Sequence, residues 1–306
     1  MKMKKKVFLR KLFNQRFLLL MSIPFIAWII IFKYIPIWGW TMAFQDYKPH
    51  LGFFKQTWVG FKHFIELFRA PLFYQAMQNT LGMSILGLIF GTISALTFAI
   101  FLNELRFLSF KRFTQTVSYL PHFVSWVVAA NIVTSFLSIN GPINEILMTL
   151  KIIKEPINVM IKTEYFWWVV VFSDIWKSTG WNAIIYLAAM TGIDSQIYEA
   201  AEIDGANRIQ KIWFITLPGI SFTIFVILIL SIGNLINIGF EKQILLGNAV
   251  TASKALVLDK YALDFGIGLF RYSFGTAIGI FKSVVSIILL LLANYLIKKS
   301  GKARLF

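Results

Sequence analysis

Residues 199–218 read Glu199-Ala200-Ala201-Glu202-Ile203-Asp204-Gly205-Ala206-Asn207-Arg208-Ile209-Gln210-Lys211-Ile212-Trp213-Phe214-Ile215-Thr216-Leu217-Pro218. The pattern predicts two short helices, 195–204 and 206–216, hinged at Gly205, where a left-handed or tightly turned backbone costs least. Ala200 and Ala201 have almost no side chain, so another protein's surface can approach the first helix closely. The second helix sets Ile209, Ile212, Trp213 and Thr216 on one face, with Arg208 and Lys211 turned elsewhere. That face is expected to tie the pair to the rest of the chain. Pro218 stops the second helix and opens the next, as a proline at a first helical position does. With Glu199, Glu202 and Asp204 exposed, the segment reads as a firm two-helix foot suited to a groove in a partner.

What flanks the foot decides the fold. Apolar runs lie on either side, at 165–190 and 217–240, and four more fall at 17–37, 79–101, 115–137 and 274–297. Each approaches or exceeds the roughly 20 residues that cross a bilayer. Composition agrees: of 306 residues, 58% are hydrophobic and 14% charged, against about 45–50% and about 25% in soluble domains. A soluble fold of this length exposes too much surface to hide that many apolar side chains. The expected class is therefore all-α, a polytopic integral membrane protein with six transmembrane helices. Two runs are interrupted, the third by Pro121 and His122, the fourth by Asp174, Lys177 and Gly180. Such breaks are tolerated where a helix faces protein or a water-filled cavity.

Charge placement gives orientation. The formal net charge is +16, but the cations gather at the ends of apolar runs, which argues for a membrane and against nucleic acid. With the N-terminus inside, the cytoplasmic pieces 1–16, 102–114, 191–216 and 298–306 hold 16 basic and five acidic residues. The opposite pieces, 38–78, 138–164 and 241–273, hold 11 basic and eight acidic ones. The excess predicts both termini in the cytoplasm. The basic start followed by 17–32 resembles a signal peptide, but Lys33-Tyr34-Ile35-Pro36 brings no small-residue cleavage site, so it reads as a retained first helix. Within the first outer loop, Phe61, Phe64, Ile65 and Phe68 mark an amphipathic helix that would lie along the membrane surface.

Several chemistries are excluded. There is no cysteine, hence no disulfide framework or thiolate metal site, and His50, His63 and His122 show no ligand spacing. No Gly-x-x-x-x-Gly-Lys-Ser/Thr loop is present, so nucleotide binding by this chain is not expected. A secondary transporter would be expected to show internal repeats and ion-site acids at midplane, and only Asp174 fits. A membrane enzyme would need a convergent catalytic set, and none is evident. Small residues at Gly87 and Gly91, and at Gly275, Gly279 and Ser283, have the spacing of close helix packing.

The foot resembles the EAA loop of ABC importer permeases: Glu199-Ala200-Ala201, then Gly205, then Ile215-Thr216-Leu217-Pro218 at the family's spacing. Leu102-Asn103-Glu104, Tyr119-Leu120-Pro121-His122, Ile175-Trp176-Lys177 and Tyr272-Ser273-Phe274-Gly275 resemble the LplB-like carbohydrate subgroup, and the likeness spans about 55–300. The chain departs from that subgroup at Glu241-Lys242-Gln243. The resemblance implies a type I importer transmembrane domain, 79–297, with the coupling loop at 195–217. An N-terminal tail, first helix and outer loop (1–78) precede it, and a basic tail (298–306) follows. It implies that Glu199, Ala200, Ala201, Asp204, Gly205, Leu217 and Pro218 couple to a separate ATPase, which carries ATP and Mg. It also implies a second homologous permease, two ATPase copies, an extracytoplasmic solute-binding protein and an oligosaccharide cargo in a bacterial cytoplasmic membrane. The mildly basic outer face points to uronic acid in that cargo.

A sugar path needs aromatic faces and a few polar groups among apolar walls. Trp126, Asp174, Trp176, Lys177, Trp181 and Asn182 supply both, and Asn234 and Asn237 lie three apart on one face of the fifth run. Asp174 and Lys177, also three apart, could instead pair with each other.

Overall fold

The structure, a computed structural model, describes residues 15–299. The basic start and most of the basic tail named above lie outside the described residues. Helices dominate, and the strands are two residues each, β1 (Gln45–Asp46) pairing antiparallel with β2 (Thr57–Trp58).

The first span begins as α1 (Arg16–Ile29) and continues through wider and tighter turns to Phe44. Pro36, which has no N–H to donate, sits where the winding changes. No residue of α1 is buried, so its Phe, Leu and Ile side chains call for an apolar surrounding outside this chain. The outer-loop helix α2 (Lys62–Arg69) buries His63 and Leu67 and leaves Phe61, Ile65 and Phe68 exposed. The apolar stripe is thus shared: Phe61 and Phe64 pack on Phe44 and Phe68 on Phe73 and Phe281, while Ile65 stays exposed.

Among the described residues, three continuous helices are long and apolar enough to cross a membrane: Arg16–Phe44, α3 (Pro71–Glu104) and the last helix, Tyr272–Lys299. Two further spans are bent. The third run is not one rod: α4 (Leu108–Phe123) and α5 (Trp126–Phe136) meet at 104°. Pro121 sits in the last turn of α4, and Ser125 caps α5 by accepting a hydrogen bond from the Val128 N–H at 3.3 Å. The central helix is α6 (Phe166–Met190), 25 residues or about 37 Å at ~1.5 Å per residue. It is long enough to span but carries Asp174 and Lys177 within it. The foot follows as α7 (Ser195–Ile203) and α8 (Arg208–Lys211). The fifth span bends by 60° between Gly219 and Ser221, where α9 (Ser221–Gly233) begins. After α9 come α10 (Glu241–Leu246) in the outer loop and α11 (Tyr272–Lys299).

The bundle has two distinguishable ends. One carries the 38–78 and 241–273 loops and is cored by Leu67, Phe73, Ile236, Leu258, Tyr261 and Phe274. The other carries the foot and is cored by Ala99, Leu102, Tyr186, Leu187, Met190 and Ile220. We call them the loop end and the foot end. The 241–273 loop is stitched to α3 by the Asn79 amide, which donates to the carbonyls of Ser253 (2.7 Å) and Leu256 (2.8 Å). The Leu258 N–H donates to the Thr80 hydroxyl at 2.9 Å. Close approach matters at Gly180: a Cβ there would lie 2.2 Å from the Ser118 carbonyl oxygen of α4. Gly87 and Gly91 do no such work within the chain, since a Cβ at either would meet nothing within 4 Å.

Candidate functional site: a cavity between two ends and the foot below it

Helices α3, α6 and α9 line an open cavity of about 450 Å³. Its walls run from Met83 to Ala95 on α3 and from Val170 to Tyr186 on α6, and from Ile227 on α9 to Ile238 beyond its end. Gly87 and Gly91 belong to that wall, so their missing side chains leave room for contents. Asp174 and Lys242 stand towards the loop end, and Tyr186 towards the foot end. Of the sequence candidates, Asp174, Asn182 and Asn234 line this space.

The polar groups near the loop end form one cluster. Asp174 does not pair with Lys177, its neighbour on α6. Its carboxylate accepts from the Lys242 ammonium at 2.8 Å. Lys177 turns instead to the end of α4 and donates to the His122 carbonyl at 2.7 Å. A helix's last carbonyls have no partner within the helix and attract a cation, which explains the choice. Both ammonium groups lie 5.7 Å from the centroid of the Trp126 ring, within cation–π range. Lys242 was not among the sequence candidates because it follows the fifth run, in the outer loop. The only signal was the departure of Glu241-Lys242-Gln243 from the subgroup's pattern.

Other candidates go elsewhere. Trp176 lines a separate apolar groove with Ile132, Phe136, Trp168 and Phe172. Trp181 stacks on the His122 ring at 4.5 Å and 1° between planes. Asn234 and Asn237 do not share a helix face, since α9 ends at Gly233. The Asn237 amide donates to the Ser286 hydroxyl at 2.8 Å and so pins that turn to α11. Lys282, on α11, forms an ion pair with Asp259.

The foot is built as a capped corner. Asp194 caps α7 by accepting from the Gln196 N–H. The Ala206 N–H returns to the Ala201 carbonyl across Gly205, whose φ of +79° a side chain would strain. Asn207 and Gln210 form a reciprocal capping box that starts α8. Lys211 bridges back to Glu202 at 2.5 Å and holds the Glu202 carboxyl below the usual carboxylate range. One tie to the bundle is the Tyr198 hydroxyl, 2.9 Å from the buried Thr216 hydroxyl. The expectation that Ile209 and Trp213 would also tie the foot down is corrected: both are exposed, as are Ile203 and Phe214. Glu199, Ala200, Asp204, Gly205 and Pro218 are exposed too. The foot therefore presents apolar side chains and acids together.

A cavity between three helices of an apolar bundle thus lies above a foot whose apolar side chains are exposed. The family described as "binding-protein-dependent transport system inner membrane component" matches residues 84–302. The chain belongs to this family. The permease is 42% identical to the polygalacturonan/rhamnogalacturonan transport system permease protein YteP of Bacillus subtilis over 100% of this chain and 95% of that one. It is 43% identical to Protein LplB of the same organism over 96% and 92%. Among solved structures it superposes on a chain of a bacterial alginate ABC transporter in complex with alginate pentasaccharide-bound periplasmic protein. The TM-score there is 0.87, with 36% identity over 97% of this chain and 99% of that one. The permease is thus a multi-pass inner-membrane component of an ABC importer, a transport subunit on the all-α plan read from the sequence.

Proposed function

We propose that the permease forms the translocation path for an acidic oligosaccharide, with the cavity between α3, α6 and α9 as part of that path. The observation that carries this is the composition of the cavity: glycine and apolar walls, a few amides, and the Lys242–Asp174 pair towards the loop end. Apolar walls with few convergent polar groups suit a sugar that must bind and then leave. The Lys242 ammonium favours a carboxylated one. The relatives' named cargoes, polygalacturonan and alginate, are acidic polysaccharides, which supports the same choice.

In this reading the loop end faces outward and receives cargo from an extracytoplasmic solute-binding protein, while both termini and the foot lie in the cytoplasm. The foot, through Glu199, Ala200, Ala201, Asp204 and Gly205, seats in one of two ATPase subunits, which hold ATP and Mg. A second, homologous permease completes the path. Leu217 and Pro218 join the foot to the bent fifth span, so a push on the foot is delivered to α9 and the cavity wall. The test is uptake into proteoliposomes carrying the assembled complex. Short oligogalacturonates should enter only with ATP and the binding protein present, and neutral oligosaccharides of the same length should enter far more slowly. Equal entry of both would remove the acidic assignment. Entry without ATP would remove the importer assignment.

A further inference from the structure

We propose that Lys242 is the specificity-determining cation of the path, and that a carboxylate of the cargo replaces Asp174 as its partner. The inference rests on the cavity being the path. The two members of the pair are unequally placed: the Lys242 side chain is 16% exposed and that of Asp174 41%. Taking a charge out of water without a partner is strongly unfavourable, so the ammonium needs a counter-charge more than the carboxylate does. Lys177 cannot take over this role, because its ammonium is already committed to the His122 carbonyl and it is nearly as buried as a core residue. Lys242 alone of the two sits in the cavity wall.

Exchange of one carboxylate for another keeps Lys242 paired throughout and leaves Asp174 to water in the cavity. A neutral sugar offers no such exchange: to pass the pair it must separate two charges and satisfy neither. Selection thus acts at the loop end of the cavity. It acts through a residue on α10, a short helix of the outer loop that packs against α5 and α6 rather than belonging to any span.

The absence of cysteine allows a direct test in the assembled complex, with the other subunits made cysteine-free. Asn234→Cys places one thiol in the cavity wall, and its labelling rate is compared for sulfonate-bearing and trimethylammonium-bearing methanethiosulfonates added from the loop side. The anionic reagent should be favoured. Lys242→Gln should lower the anion-to-cation ratio by about tenfold, the low end of the enrichment that charged clefts produce, and Lys242→Arg should keep it. Asp174→Asn should raise the ratio, because it frees the ammonium. A merely structural role would move the Lys242→Gln and Asp174→Asn ratios in the same direction or not at all, and either result overturns the proposal. If modified Asn234→Cys still imports oligogalacturonate at the full rate, the cavity is not the path. That failure is separate from a ratio that does not respond.

Discussion

Single side chains divide here into those that hold helices together and those that leave room between them, and glycine does both. Gly180 faces the Ser118 backbone with no space for a methyl group, whereas Gly91 faces the cavity. Gly180→Ala should therefore destabilise the permease by about 1–3 kcal/mol, the usual cost of overpacking, seen as a lower melting temperature in detergent. Gly91→Leu should leave the melting temperature unchanged and cut uptake sharply. Both glycines are visible in the sequence, but their roles are not. The i, i+4 spacing of Gly87 and Gly91 reads as packing, and only the neighbouring helices reveal empty space. Asp174 teaches the same lesson. The choice between Lys177 and Lys242 depended on a free carbonyl at the end of α4, which no local pattern announces.

At the scale of elements, the foot was the most legible part, since its caps, turn and stop are local chemistry. Gly205 turns and Asn207 caps as their residue types predict, but Pro218 does not stop the second helix, which runs through it to Gly219 before the 60° bend. What was not legible is which apolar residues face the bundle, because Ile209 and Trp213 await a surface outside this chain. The Glu202–Lys211 pair braces the corner, and its pH dependence has a definite sign. Lys211 lowers the carboxyl's pKa, so the brace is fully present above the ordinary carboxylate range and is lost as pH falls through the lowered value. Hydrogen exchange at 203–207, relative to the intrinsic rate at each pH, should accelerate over that acid window in the wild type. In Lys211→Met it should already be fast at neutral pH and show no such step. The stitch between the outer loop and α3 is a second element-scale case. Asn79→Ala would leave the buried Leu256 carbonyl without this donor, a loss of about 1–3 kcal/mol, measurable as earlier thermal unfolding. Rescue by Asn79→Asp is not expected, because a carboxylate cannot donate.

For the molecule as a whole, the apolar runs carried the fold; among the described residues three helices and two bent pairs are long and apolar enough to span, and the fourth run, α6, carries Asp174 and Lys177. The exact course of the third and fifth spans was beyond the runs themselves. Hydropathy averages over the 104° break before Trp126 and the 60° bend at Ile220, because both halves of each span are apolar. Those bends matter to the account: the first places Trp126 beside Lys242, and the second links the foot to the cavity wall. The central claim is that force applied at the foot moves the cavity. Its most direct test is cargo-stimulated ATP hydrolysis measured alongside uptake in the reconstituted complex, comparing wild type with Glu199→Ala and Gly205→Pro. The account predicts complexes that still assemble but whose ATP hydrolysis no longer responds to loaded binding protein, with uptake lost in parallel. Variants that assemble, hydrolyse ATP in response to cargo and import at the wild-type rate would contradict it.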